Sequence, residues 1–262
     1  MESWMTWMMV VPFAWFAAVA LAERLWPAAE LPRVRGWRVQ GVVSLIVLFA
    51  SSIGFPMLWD TWLGAHRLID ASALGLVGGA VYALVAVQLF SYGWHRAMHR
   101  VPFLWRFHQY HHAAERFDVY GSPMLHPVDI AGFSLASSLG MVWALGVPGE
   151  SAMLAGTAGA LLAIFQHANL RTPRWLGYLI QRPENHSVHH ARGVHALNYG
   201  DITLWDIVFG TFRNPNDFAG EYGFWDGASR QLGRLLVGRD VTVPRTPAAD
   251  EPEAIAAELA AA

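Results

Sequence analysis

The sequence predicts an all-α protein: a polytopic membrane helical bundle of about four to five hydrophobic helices, two of them forming a hairpin, under a cytoplasmic histidine-rich helical cap. Three observations carry this expectation. Five windows hold no Asp, Glu, Lys or Arg, at residues 3–22, 39–59, 71–95, 130–149 and 151–170, and a spanning helix needs about 20 apolar residues. The composition is 54% hydrophobic and 15% charged, against about 25% charged for an average soluble domain. Eight of the twelve histidines fall into three tight clusters, and these flank the third and fifth windows.

The first window starts with Glu2 and no basic flank, so it reads as a membrane helix and not as a cleavable signal. The second and third windows follow. The fourth and fifth are separated by Glu150 alone, inside the turn-forming sequence VPGE, and read as a tight hairpin that leaves one side and returns to it, too short or shallow for two certain spans. Residues 1–245 form one domain, with the cap built from 95–127 and 171–245. The Pro-, Ala- and Glu-rich tail at 246–262 is expected to be disordered.

Orientation follows from arginine placement, since all eighteen basic residues are Arg. The connection holding Arg24, Arg33, Arg35 and Arg38 lies on the histidine side, whereas the connection at 60–70 lies opposite and carries only Arg67. The positive-inside rule then turns the histidine side to the cytoplasm. A bacterial inner membrane is the expected location.

Formal net charge is −2, which gives no field suited to nucleic acid. The absence of cysteine excludes disulfides, iron–sulfur clusters and thiolate zinc sites. Thirteen Trp suit a chain with wide membrane interfaces.

The clusters are His95 and His99 in WHRAMH, His108, His111 and His112 in HQYHH, and His186, His189 and His190 in HSVHH. Residues three or four apart share a helix face, so each cluster can aim two or three imidazoles at one point. Eight neutral ligands exceed the four of a structural zinc site and suggest two ions. Imidazole suits Zn, Cu, Fe and Ni. Hydrolytic zinc would call for a His-Glu-x-x-His motif, which is absent. Redox-active iron accounts better for a site set against lipid, whose C–H bonds need an oxidant. A membrane metal transporter is the competing reading. Its ligands would sit near the bilayer midplane, whereas these lie at helix ends.

These residues resemble the fatty acid hydroxylase and sterol desaturase superfamily of integral membrane di-iron oxygenases. The likeness lies in His-x3-His, His-x2-His-His and a later His-x2-His-His. It continues in LWRFHQYHH, in LHP at Leu125–Pro127, in HANL from His167, and in NYGDITLWDIVFGTF from Asn198 to Phe212. It covers roughly residues 93–212. The resemblance implies two Fe ions held by the eight histidines, O2 as co-substrate, and hydroxylation or desaturation of a lipid. It adds His167 as a further ligand or site neighbour, and His126 as a ligand or a residue shaping the entrance. His195 stands where many relatives carry an acidic residue, with substrate contact and plain surface exposure both open; His66 is unrelated.

Metal-bound His donates its other N–H to a carboxylate or carbonyl. Candidate acceptors are Glu115, Asp118, Asp201 and Asp206, with Asp206 foremost and ordinary solvation favoured for Glu115. Asn198 and Tyr199 are expected to cap or buttress the third cluster. Trp94, Trp105, Phe107 and Tyr110 interleave the ligands, as interface packing or as a wall against water. No haem-binding extension, Gly-x-Gly-x-x-Gly fingerprint or cysteine cluster is visible, so electrons are expected from a separate ferredoxin, cytochrome or reductase.

Overall fold

Three segments of the computed structural model are long and apolar enough to cross a membrane: Thr6–Leu25, Trp37–Leu58 and Ser72–Arg100. The structure describes residues 3–244, so the tail expected at 246–262 lies outside the described residues. Among them are ten α-helices, and the only β pairing is two isolated bridges. The helices are α1 (Ser3–Leu25), α2 (Trp37–Gly54), α3 (Asp60–Ala65), α4 (Gly75–Arg100) and α5 (Pro102–His112), followed by α6 (Pro127–Ser138), α7 (Gly149–Phe165), α8 (Pro183–His189), α9 (Thr203–Val208) and α10 (Leu232–Leu236).

The spans carry their apolar side chains outward. Only 6% of the second span's window is buried within the protein. Val39, Val42, Val43, Ile46 and Val47 stand exposed along α2 at i, i+3, i+4, i+7 and i+8. Each such side chain left in water forfeits a burial gain of about 1.5–3 kcal/mol; facing lipid, it forfeits nothing.

α4 is the central helix, packed against α5, α6 and α7, while α1 lies on α7 and α2 on α6. The third window was expected to end at His95, but α4 continues to Arg100. Its end is set by Pro102, which drives Val101 into extended backbone (φ −98°, ψ 112°) and restarts the chain as α5 with proline in its first turn. His95 and His99 therefore ride on the last two turns of α4, directly before α5.

The hairpin forms as expected, with one correction. α6 begins at Pro127 and not at Ile130. Asp129 interrupts the charge-free window, yet it belongs to the helix: its carboxylate accepts from the His126 amide, while the His126 ring accepts from the Val128 amide. This is a capping box. α6 continues as a π-helical turn, Leu139–Ala144, and the chain turns back through Pro148 into α7. The Ser151 hydroxyl donates to the Leu76 carbonyl at 3.1 Å, so the hairpin reaches the level at which the α4 span begins. α4 and the π turn meet closely at Gly140, where a Cβ would lie 2.9 Å from the Val87 amide nitrogen.

The bundle thus has two unlike ends. At the distal end the 60–71 connection covers the hairpin tip, through Leu68 N–H to Trp143 O (2.7 Å) and Ala71 N–H to Leu145 O (2.9 Å). At the other end the α1–α2 connection is tied to the cap. Ala28 N–H donates to Asn169 O and Arg116 to Pro32 O. The arginine-bearing connection lies on the histidine side, as its position in the sequence suggested. The cap has its own core of Trp37, Tyr110, Ala113, Ala114, Met124, Ala228, Leu235 and Val241.

Candidate metal centre

The eight clustered histidines and His167 converge on two adjoining cages. Ring nitrogens of His95, His99, His108, His112 and His189 lie within 4.8 Å of one another, and so do those of His111, His167, His186 and His190. The cages share a wall: ring centroids are 4.4 Å apart for His112 and His190, and 4.9 Å for His186 and His189.

Helix geometry explains the partition. Each His-x-x-His-His cluster was expected to aim at one point, but the structure splits it. Residues four apart nearly eclipse on a helix, whereas a residue three apart is turned aside by about 60°. His108 and His112 therefore enter the first cage and His111 the second. His186 and His190 enter the second cage and His189 the first. His95 and His99, four apart, stay together.

The donor set fits metal ions. The Nε2 atoms of His95, His99, His108, His112 and His189 are buried without a hydrogen-bond partner. In the second cage Nε2 atoms approach as neighbours: His111–His167 at 3.1 Å, His167–His186 at 3.2 Å and His186–His190 at 3.2 Å. The His167 Nδ1 donates to the Ala163 carbonyl, so its Nε2 is a bare lone pair, aimed at its neighbours. Nitrogens bonded at about 2.0–2.1 Å to a tetrahedral ion stand roughly 3.3 Å apart, close to the separations seen. Burial, reinforced by neighbouring imidazoles, holds His111, His112, His186, His189 and His190 well below the ordinary histidine pKa. Burial pushes His167 down to about 4. Neutral imidazole is the form that binds metal.

The outward nitrogens of the first cage are held by one loop. His95 Nδ1 donates to Tyr199 O and His189 Nδ1 to Leu197 O, both at 2.7 Å, and the His195 carbonyl faces His99. Alternate carbonyls of residues 195–199 thus serve three imidazoles. This requires left-handed backbone at His195 (φ 41°), Leu197 (72°) and Asn198 (47°), a conformation costing non-glycine residues of order 1 kcal/mol or more each. Asp206 offsets that strain. Its carboxylate accepts from the Tyr199 and Gly200 amides at 2.8 Å and from Thr211 Oγ1 at 2.7 Å. Asp206 was expected to receive a ligand N–H directly; it stands one step farther out and holds the peptide that does. Asn198 clamps the same loop to α8, donating to Asn185 O and accepting from the Arg213 amide.

Other expected residues are placed elsewhere. His126 joins neither cage: one ring nitrogen serves the helix cap and the other lies 3.1 Å from Leu236 O. Glu115 accepts from Gly227 N, Ser229 N and Ser229 Oγ. Asp118 binds Arg116 and the Trp37 indole. Asp201 is half-buried between the side-chain amides of Gln88 and Gln166, and desolvation pushes its carboxyl up to about 6. None of the three touches a caged ring. His195 lies outside both cages but bonds His112, Nδ1 to Nδ1 at 3.2 Å. His66 sits at the distal end against Trp62 O.

Of the four interleaved aromatics, Trp105 packs on His99 and His112. Phe107 instead meets His126, and Tyr110 OH joins Gln40 of α2. Trp94 lies against α6 at Gly132. Two wall residues escaped the sequence reading: Phe117, stacked on His167, and Phe133, edge-on to His95. So did Asp129, whose carboxylate lies 3.3 Å from His108 Nδ1; its spacing from His126 is the one available signal.

Residues 80–211 match the sequence profile of the family described as fatty acid hydroxylase. Among curated relatives, the chain is 29% identical over 226 residues to the ornithine lipid hydroxylase of Rhizobium tropici, covering 80% of this chain and 68% of the relative. It is 32% identical over 213 residues to a fatty acid hydroxylase of a Lecanicillium species, covering 71% of this chain and half of that protein. It is 26% identical over 163 residues to the alkylglycerol monooxygenase of Caenorhabditis elegans, covering 61% of this chain and 31% of that protein. No solved structure matches the chain.

Proposed function

Since the chain belongs to the fatty acid hydroxylase family, we propose that it is a membrane-embedded, iron-dependent hydroxylase that uses O2 to oxidise a C–H bond of a lipid. The observation that carries this reading is the pair of adjoining cages, the first with five Nε2 atoms buried without a partner and the second with Nε2 atoms only 3.1–3.2 Å from one another. Two irons, one held by His95, His99, His108, His112 and His189 and the other by His111, His167, His186 and His190, would supply the O2-activating chemistry that no side chain possesses.

The chain's own part is fourfold. Buried neutral imidazoles bind through nitrogen. The 195–199 loop and Asp129 keep the outward Nδ1 protons of His95, His189 and His108 in place, which fixes the tautomer and direction of those three rings. Trp105, Phe117, Phe133 and Tyr199 wall the cages with apolar surface and exclude water. The apolar spans present the site to substrates that live in the bilayer. Reducing equivalents come from a separate carrier, a ferredoxin, cytochrome or reductase. The arginines of the cap end, set against Arg67 alone in the distal connection, support a cytoplasmic cap in a bacterial inner membrane.

The test is lipid mass spectrometry of cells with and without the protein. A lipid that gains one oxygen is the expected difference; a loss of two hydrogens would assign desaturation at the same centre. His111→Ala should abolish that product and lower bound iron while the protein still inserts into membranes. Full activity in that variant would remove His111 from the site.

A further inference from the structure

A cavity of about 820 Å³ opens between α1, α2 and the segment that follows α5, away from both cages. Its lining changes character along its length. Phe16, Ala17, Ala20 and Leu21 of α1 and Val42 of α2 make an apolar floor. Arg24, Arg33 and Arg38 stand at its polar end, where the two spans meet the cap. The neighbouring Trp26 is 70% exposed, as suits an indole at the bilayer surface.

The charges at that end do not cancel. Four arginines and three acids line the cavity. Asp118 is held by Arg116 and by the Trp37 indole, and Glu23 is occupied by the amides of Val119 and Asn169. What remains is Arg24, Arg33 and Arg38 against Glu30. Among the described residues none of those three arginine side chains has an ion-pair or hydrogen-bond partner. Arg38 instead lies over the Tyr120 ring, 5.8 Å from its centroid. The lining carries one more guanidinium than carboxylates, and three unpaired guanidinium groups above an apolar trough suit a phosphate group with hydrocarbon attached, because guanidinium pairs with phosphate through parallel N–H bonds. The volume is that of a ligand site.

We infer that this cavity binds an anionic glycerophospholipid, with the phosphate at Arg24, Arg33 and Arg38 and the first part of an acyl chain along Ala17, Ala20 and Val42. The site is separate from the caged histidines, and its occupancy is read without any turnover, so it stands or falls independently of the hydroxylase reading.

Native mass spectrometry of the detergent-purified full chain tests it, with phosphatidylglycerol, phosphatidylcholine and inorganic phosphate as probes. Phosphatidylglycerol should give a saturable adduct of one lipid per chain and bind about tenfold or more tighter than phosphatidylcholine. The Arg33→Gln/Arg38→Gln variant should lose that preference, on the order of tenfold for two interfacial cations, and Arg239→Gln on the exposed cap should keep it. Ala17→Phe, which fills the trough and leaves every charge in place, should weaken the adduct too. Equal binding of the two lipids, or a preference that survives loss of both arginines, would overturn the proposal. Inorganic phosphate binding as tightly as phosphatidylglycerol would overturn the assignment to a lipid.

Discussion

The two cages are built from the same residue type at the same spacings, yet they are supported differently. The first takes two i, i+4 pairs and one single ring, His189, and three of its five imidazoles lean on carbonyls of the strained 195–199 loop. The second takes one pair, His186 and His190, and one single ring, His111. It completes its set with His167 from just beyond α7, which leans on its own preceding turn at Ala163. A repeated His-x-x-His-His motif is thus divided two to one in opposite senses, and each cage depends on both motifs. The first cage is fixed by the fold of the cap, the second by the return leg of the membrane hairpin.

The largest expected effect comes from removing one ring from either cage. His189→Ala should strip the first cage of its only α8 ligand, and His186→Ala should break the only pair in the second. Each should cost at least about 100-fold in turnover, beyond the 10–100-fold typical of residues that merely support ligands. Bound metal should fall by one ion per chain in each, measured by elemental analysis. Equal loss of both ions in both variants would show that the cages do not act as separate units.

Asp206→Ala comes next. It frees the Tyr199 and Gly200 amides and with them the loop that serves the first cage alone. Metal affinity should fall about 10–100-fold at one ion only, with the second retained. Matching losses at both ions in a metal titration would contradict the comparison.

Acidification should act on both cages at once. His111, His112, His186, His189 and His190 are held below the ordinary histidine pKa by burial, and His167 is held at about 4. Between about pH 6.5 and those folded values the unfolded chain binds protons that the fold does not, so stability of the metal-free protein should fall as pH drops through that window and level off above it. Asp201, pushed up to about 6, works the other way and should soften the fall; Asp201→Asn should steepen it. Thermal unfolding of the detergent-solubilised apoprotein across pH 4–8 reads both. Rising stability on acidification would contradict the assignment of neutral rings. The smallest effect belongs to Glu115→Gln, whose acceptor role lies in the 227–229 turn. It should cost about 1–3 kcal/mol of cap stability and leave metal content unchanged.

Much of this was legible in the sequence because its signals are local. Charge-free runs of spanning length mark the helices, and His spacing marks the faces. What was not legible depends on tertiary placement. The sequence could say that His108, His111 and His112 share an arc, but not that two cages would part them, because that needs α5 and α8 to be packed against each other. Asp206 reads as an acid among apolar neighbours; only the fold reveals that it bonds backbone amides and not a ring. Asp129 hid because its charge cut a hydrophobic window that the helix itself ignores. His126 sits in a motif beside the ligands, but it caps a helix, and nothing in its spacing distinguishes the two roles.

Nine imidazoles in two cages should hold two metal ions, not one. The iron content of the purified protein, with X-ray absorption at the iron edge, decides between these. About two irons per chain are expected in an imidazole-dominated shell, falling to one in His186→Ala. A single iron per chain in the active protein, or a content unchanged by His186→Ala, would contradict a two-ion centre.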